Sequence, residues 1–136
     1  MPVAFSYEMA MHPTFDAANL LNWLDKAAAT ELDGLDFGVI GMTRDGAVTA
    51  YNRAEAMLSG LTPSRVIGRH FFTAVAPCTN NYLVAHRFEV EETLDDTIDY
   101  VFTLRMAPQP VKLRLLRSPA AAHMFLAVRR RTVHAA

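Results

Sequence analysis

Three side-chain types in one part of this chain can do chemistry together: a thiol at Cys78, a phenol at Tyr51 and a carboxyl at Glu55. Cys78 is the single cysteine and sits in the run Val66-Ile67-Gly68-Arg69-His70-Phe71-Phe72-Thr73-Ala74-Val75-Ala76-Pro77-Cys78-Thr79. Upstream, Tyr51-Asn52-Arg53-Ala54-Glu55 puts phenol and carboxyl one helical turn apart. A thiol with such a pair suits covalent capture of a small molecule that carries a buried ionisable group. The pair would act as two protonated donors aimed at one anionic oxygen. A carboxyl in an apolar pocket has its pKa raised by desolvation, so it keeps a proton to donate near pH 7. The plainer readings are a cysteine serving as a small buried hydrophobe, a glutamate on an exposed helix face and a tyrosine closing the core.

Other chemistries have less support. A reactive thiolate needs a positive charge or a helix N-terminus beside it; His70, His86 and Arg87 are candidates, but no histidine stands in a hydrolase motif. The five histidines, at 12, 70, 86, 123 and 134, lack zinc-like spacing and have no second cysteine to join them. A haem on one histidine, His70 or His86, stays open as an alternative ligand. Gly34, Gly38 and Gly41 approach a strand and do not form a phosphate-binding fingerprint. Seven methionines and eight phenylalanines read as core filler.

These residues need a scaffold, and 136 residues suffice for one domain, not two. Half the residues are hydrophobic (51%) and 20% are charged, which fits a globular protein with a real core. A net charge of −1 offers no broad surface for nucleic acid or membrane, and the Arg129-Arg130-Arg131 tail, with His134 beyond, is too short to change that. One cysteine implies no disulfide, and neither a signal-like start nor a membrane-length apolar run is present. The expectation is a cytoplasmic protein.

Along the chain, residues 1–13 read as a loosely ordered lead-in. Phe15, Ala18, Leu21, Leu24 and Ala28 predict one amphipathic helix over residues 14–30, capped by Thr14 or Asp16. Asp45-Gly46 between the apolar runs 37–42 and 47–51 predicts a hairpin. Short helices follow over 52–58, stopped near Gly60, and from Thr62-Pro63-Ser64; a loop or broken helix spans 73–81, and 83–92 is helical. Strands are expected at 98–106, with Tyr100, Phe102 and Leu104 on one face, at 111–116 and at 123–130, with a turn at Ala107-Pro108-Gln109-Pro110. Hairpin and meander join into a five-stranded antiparallel sheet, an α+β arrangement in which the helical middle walls off a pocket against one sheet face.

The quoted residues carry a likeness. Leu32-Asp33-Gly34-Leu35-x-Phe37-Gly38, Asp45-Gly46, Tyr51-Asn52-x-Ala54-Glu55, Val66-Ile67-Gly68-x-x-Phe71-Phe72 and Val75-Ala76-Pro77-Cys78-Thr79 resemble the photoactive yellow protein family, PAS-domain blue-light receptors. Tyr100, Phe102, Met106, Pro108, Val111 and Lys112 continue it. The resemblance implies a PAS fold, with a helical cap over residues 1–31 and a sensor domain over 32–131. It implies 4-hydroxycinnamic acid (p-coumaric acid) held as a covalent thioester on Cys78, with Tyr51 and Glu55 as the donors to its phenolate. Ser59, where the family usually has threonine, would support Tyr51. In the family, light isomerises the double bond, the glutamic acid gives up its proton, and the N-terminal segment loosens as the signal. The chain would then be a sensor with no substrate turnover, monomeric or weakly dimeric, acting on a downstream signalling protein that the sequence does not name. Two positions depart: Leu61 stands for an arginine that often shields the pocket, and Leu104 for a tyrosine. A PAS sensor or interaction module for haem or another small ligand, with Cys78 only structural, is the alternative.

Overall fold

The computed structural model describes residues 12–104 and 107–131. The lead-in up to Met11, Met106, His134 and the side chain of Leu104 lie outside what it describes.

Two short helices, α1 (Leu20–Lys26) and α2 (Ala29–Leu32), precede the hairpin of β1 (Gly38–Met42) and β2 (Val48–Tyr51). Helices α3 (Arg53–Ser59) and α4 (Pro63–Val66), a π-helical turn (Phe71–Val75), a 3-10 turn (Pro77–Thr79) and α5 (Ala85–Val90) form the middle. Strands β3 (Leu94–Leu104), β4 (Ala107–Arg117) and β5 (Met124–Arg130) complete a fully antiparallel sheet of order β2-β1-β5-β4-β3. The α+β class and the five-stranded sheet are as the sequence predicts.

Period-two alternation sorts the side chains between two cores. Ile40 and Met42 of β1, Val111, Leu113 and Leu115 of β4, and Met124, Leu126 and Val128 of β5 face the helical middle. Val39, Leu116, Phe125 and Ala127 face the other way, against Phe15, Leu20, Leu24, Leu32 and Leu35 of the N-terminal cap. All five residues of β1 are buried. Each leucine or phenylalanine so covered contributes about 1.5–3 kcal/mol before the entropy of ordering it.

Two expectations are corrected. The single helix over 14–30 is instead two helices joined by Ala27 (ψ 142°) and Ala28 (ψ 160°), both extended. Helix α1 starts only at Leu20, with Asn19 at its N-cap and no side-chain cap. The break lets Leu32 and Leu35 reach the core that Leu20 and Leu24 enter, and it leaves Ala18 and Ala28 exposed. Thr14 does not cap a helix: its carbonyl accepts from Ala17 N in a turn, and Asp16 pairs with Arg129 at 3.1 Å. The second correction concerns Pro108 and Pro110, which lie in β4, paired to Thr103 and Val101. The β5 ladder begins only at Val111, so Pro108 lies beyond it where a missing N–H is tolerated, while the Pro110 carbonyl at its end still accepts from Arg131 N at 3.0 Å.

Polar contacts fix the cap to the sheet. The Arg114 guanidinium donates to both carboxylate oxygens of Asp95 (2.8 and 2.9 Å) and to the carbonyls of Phe15 (2.9 Å) and Ala17 (2.8 Å). Arg129 lies 4.7 Å from the Phe15 ring centroid. Asp25 of α1 accepts from Ala122 N (3.0 Å) and His123 N (3.1 Å) before β5. Burial alone would raise the Asp25 carboxyl, but these bonds and the His123 ring hold it below the usual range.

Candidate functional site

Tyr51 closes β2, and Asn52 at once caps α3, so strand end and first helical turn project their side chains from a fixed corner. Asn52 is 2% exposed and uses its whole amide. Its Oδ1 accepts from Glu55 N (3.1 Å) and Val39 N (2.9 Å), and its Nδ2 donates to Leu32 O (2.8 Å) and Phe37 O (3.0 Å). One side chain thus ties the end of α2, the start of β1 and the N-terminus of α3 together. Gly60, at φ 75°, closes α3 in the left-handed conformation that glycine adopts without strain.

Glu55 is 1% exposed, and its Oε1 is buried without a hydrogen-bond partner among the described residues. Desolvation pushes its carboxyl up to about 8, so the group is protonated at neutral pH. The Tyr51 hydroxyl donates to Ser59 Oγ at 2.8 Å, and Ser59 Oγ also accepts from Leu61 N at 3.1 Å. Burial first, and the nearby Glu55 charge second, raise the Tyr51 phenol above its ordinary range, against the lowering by Ser59. The corner therefore holds two proton-bearing groups and one oxygen with an unused bonding capacity. Such an atom calls for a partner, because a buried polar group left unmatched costs about 1–3 kcal/mol.

Cys78 sits in the middle of the 3-10 turn and is half-buried. The π-helical turn before it seats Phe71 and Phe72 in the core, and Pro77 starts the tighter turn at a position where its missing N–H is harmless. Thr79, fully buried, locks the turn by donating from Oγ1 to Ala76 O at 2.6 Å. Across the sheet the Tyr100 hydroxyl donates to Cys78 O at 2.6 Å, and Asn81 Nδ2 lies 2.6 Å from that hydroxyl and 3.2 Å from the same carbonyl. Cys78, Leu61 and Tyr100 pack against the core cluster that contains Tyr51, Phe71, Phe72 and Phe102. The structure thus brings the thiol and the Tyr51 corner to one sheet face.

His70 and His86 do not enter that core. Both are exposed; His70 packs edge-on to Phe72, and His86 meets the exposed Tyr82 ring edge-on, with centroids 5.0 Å apart. A groove of about 710 Å³ lies between the cap helices and the start of α4, bounded by Leu24, Leu32, Pro63, Ile67 and Phe125, and it reaches Tyr51 and Asn52. Neither Cys78 nor Glu55 lines it. Among the described residues no three His, Cys, Asp or Glu side chains group as a metal site, and no helix is long and apolar enough to cross a membrane. Sequence reasoning missed the Asn52 junction and the Tyr100 bond to Cys78. An asparagine at a strand-to-helix boundary was the available signal for the first; the second joins residues that no local pattern connects.

The PAS fold profile matches residues 28–124. Photoactive yellow protein of Rhodothalassium salexigens is 32% identical over 119 residues, spanning 85% of this chain and 95% of that protein. The chain belongs to the photoactive yellow protein family. Photoactive yellow protein of Rhodobacter capsulatus is likewise 32% identical, over 115 residues, with 80% of this chain and 93% of that one covered. The crystal structure of the photoactive yellow protein domain from the sensor histidine kinase Ppr of Rhodospirillum centenum superposes with a TM-score of 0.74 at 39% identity. It covers 81% of this chain and 99% of that domain. The five-stranded sheet with short helices described above is therefore the PAS fold of this family.

Proposed function

We propose that this chain is a blue-light photoreceptor that carries 4-hydroxycinnamic acid as a thioester on Cys78. Tyr51 and Glu55 hold its phenolate oxygen, and Ser59 supports Tyr51. The observation that carries the reading is the buried, unpartnered Oε1 of a protonated Glu55, close to a second proton-bearing group, Tyr51. Two such donors match one buried anionic oxygen, and among the described residues none supplies an oxygen to Glu55 Oε1. The bound group would supply the light absorption and a double bond whose isomerisation displaces its phenol end.

The chain's residues do the rest. Cys78 is held by its own carbonyl, through Tyr100 and Asn81, so its backbone is fixed where its side chain meets the core. Tyr51 can turn its hydroxyl from Ser59 to a new acceptor while Ser59 donates in return, since each is both donor and acceptor. Glu55 stores the proton that the photocycle draws on. Once that proton leaves, a carboxylate remains at 1% exposure, which costs several kcal/mol. Leu61, at the margin of the core, offers no charge to shield the pocket, and we expect freer solvent access there than an arginine would allow.

Labelling tests the attachment. Activated 4-hydroxycinnamic acid should add one acyl group, its leaving group departing as the thiolate of Cys78 forms the thioester, and none to Cys78→Ala. Equal acylation of that variant, read by intact-protein mass spectrometry, overturns the assignment. Absorbance separates the readings further: a visible band for the thioester chromophore, a Soret band for haem.

A further inference from the structure

Strand β1 passes the Glu55 carboxyl at residue 38, the one position on that face of the strand that carries no side chain. Residue 38 is a glycine, and a methyl group built on it would overlap Oε1 of Glu55 and stand 3.2 Å from that residue's Cβ and Cδ. Its backbone does not require glycine, because Gly38 is not among the residues with positive φ. What the glycine supplies is room.

The backbone cannot yield that room in another way. Gly38 is paired with Val128 in the β1–β5 ladder, and the residues on either side of it are held by Asn52 through Phe37 O and Val39 N. The carboxyl can move, as the free end of a flexible side chain with no hydrogen bond at Oε1. We propose that Gly38 is a positioning residue for Glu55: the absent side chain makes the slot that seats the carboxyl in the core, and any side chain at position 38 expels it. The proposal rests on the reading of Glu55 as the proton store and names what places it.

The test begins without chromophore. The infrared carboxylic C=O band that disappears in Glu55→Gln is followed against pH in the parent, in Gly38→Ala and in Gly41→Ala. The last is the control, since a methyl at Gly41 meets Phe125 (2.9 Å) and Ala50 (3.1 Å) instead of Glu55. The Gly38→Ala midpoint should fall by about one pH unit or more, a tenfold change in the ionisation constant, and the Gly41→Ala midpoint should stay. A double-mutant cycle of Gly38→Ala with Glu55→Ala supplies the second readout, because alanine at 55 keeps only the Cβ. The pair should melt higher than the sum of the single shifts allows, or fold where Gly38→Ala alone does not. Additive melting shifts, an unmoved midpoint, or a double variant that fails to fold like the single one would overturn the slot. In chromophore-loaded protein the Gly38→Ala band should move in the same direction as that of Glu55→Gln. A shift in Glu55→Gln with none in Gly38→Ala counts against the slot alone. No shift in Glu55→Gln overturns the role of Glu55 toward the chromophore, and the chromophore-free arm then still decides whether Gly38 seats it.

Discussion

At the scale of single residues, burial without a partner dominates. Glu55 keeps a proton in the folded protein up to about 8, while the unfolded chain releases it near the ordinary value of 4.5. Between those values the native state binds more protons than the unfolded state, so stability falls as pH rises. The stabilisation is complete below about 4.5 and is lost as pH climbs to about 8. We predict a slope approaching about 1.4 kcal/mol per pH unit in that window for chromophore-free protein. Glu55→Gln should flatten it, as measured by urea midpoints at a series of pH values. A slope unchanged in the glutamine variant would assign the pH dependence to other groups. Tyr51, Glu55 and Cys78 could be singled out from sequence because their chemistry is carried by residue type and short spacing. Gly38 could not, because a glycine in an apolar run is silent about what crosses above it.

At the scale of elements, the sheet separates the site from the cap, and Arg114 is the clearest link across. It lies among buried leucines on β4, where alternation with apolar neighbours reads as a solvent-facing lysine or arginine. Instead it is 6% exposed and holds the Phe15 and Ala17 carbonyls together with Asp95. Replacing it by alanine removes charge-assisted bonds worth about 1.5–3 kcal/mol each before relaxation. Arg114→Ala should therefore lower stability by at least about 2 kcal/mol and raise amide exchange across residues 14–26, with β3 little changed. Equal exchange in both places would mean that the cap is held by its leucines alone. The hairpin was legible in the sequence because Asp45-Gly46 is a local signal, and Gly46 does take φ 91°. The broken cap helix was not legible. Its periodicity runs on through Ala27 and Ala28, and only the need of Leu32 and Leu35 to meet Phe37 and Val39 bends it. The prolines of β4 misled for a related reason: whether a strand end lies on an edge depends on where its second neighbour begins.

At the scale of the molecule, the candidate site and the cap pack on opposite faces of one sheet. An unpaired carboxylate at Glu55 costs several kcal/mol, comparable with docking Phe15, Leu20 and Leu24 at about 1.5–3 kcal/mol each before entropy. Illumination of chromophore-loaded protein should raise amide exchange in residues 1–31 more than in the strands between 98 and 130. A visible photocycle with unchanged exchange in the cap would place the output surface elsewhere. The strand order has a further consequence, for synthesis. β5 is the last strand in sequence, yet it lies at the centre and pairs Gly38 with Val128 across most of the chain. While a ribosome is still making residues 124–130, the nascent chain can form only two separate ribbons, β1–β2 and β3–β4, and two-stranded ribbons are marginal in water. Both ribbons then expose the apolar faces that later become the two cores. At about 5–20 residues per second, the β1–β2 ribbon waits several seconds for β5, with the faces that become the two cores still uncovered.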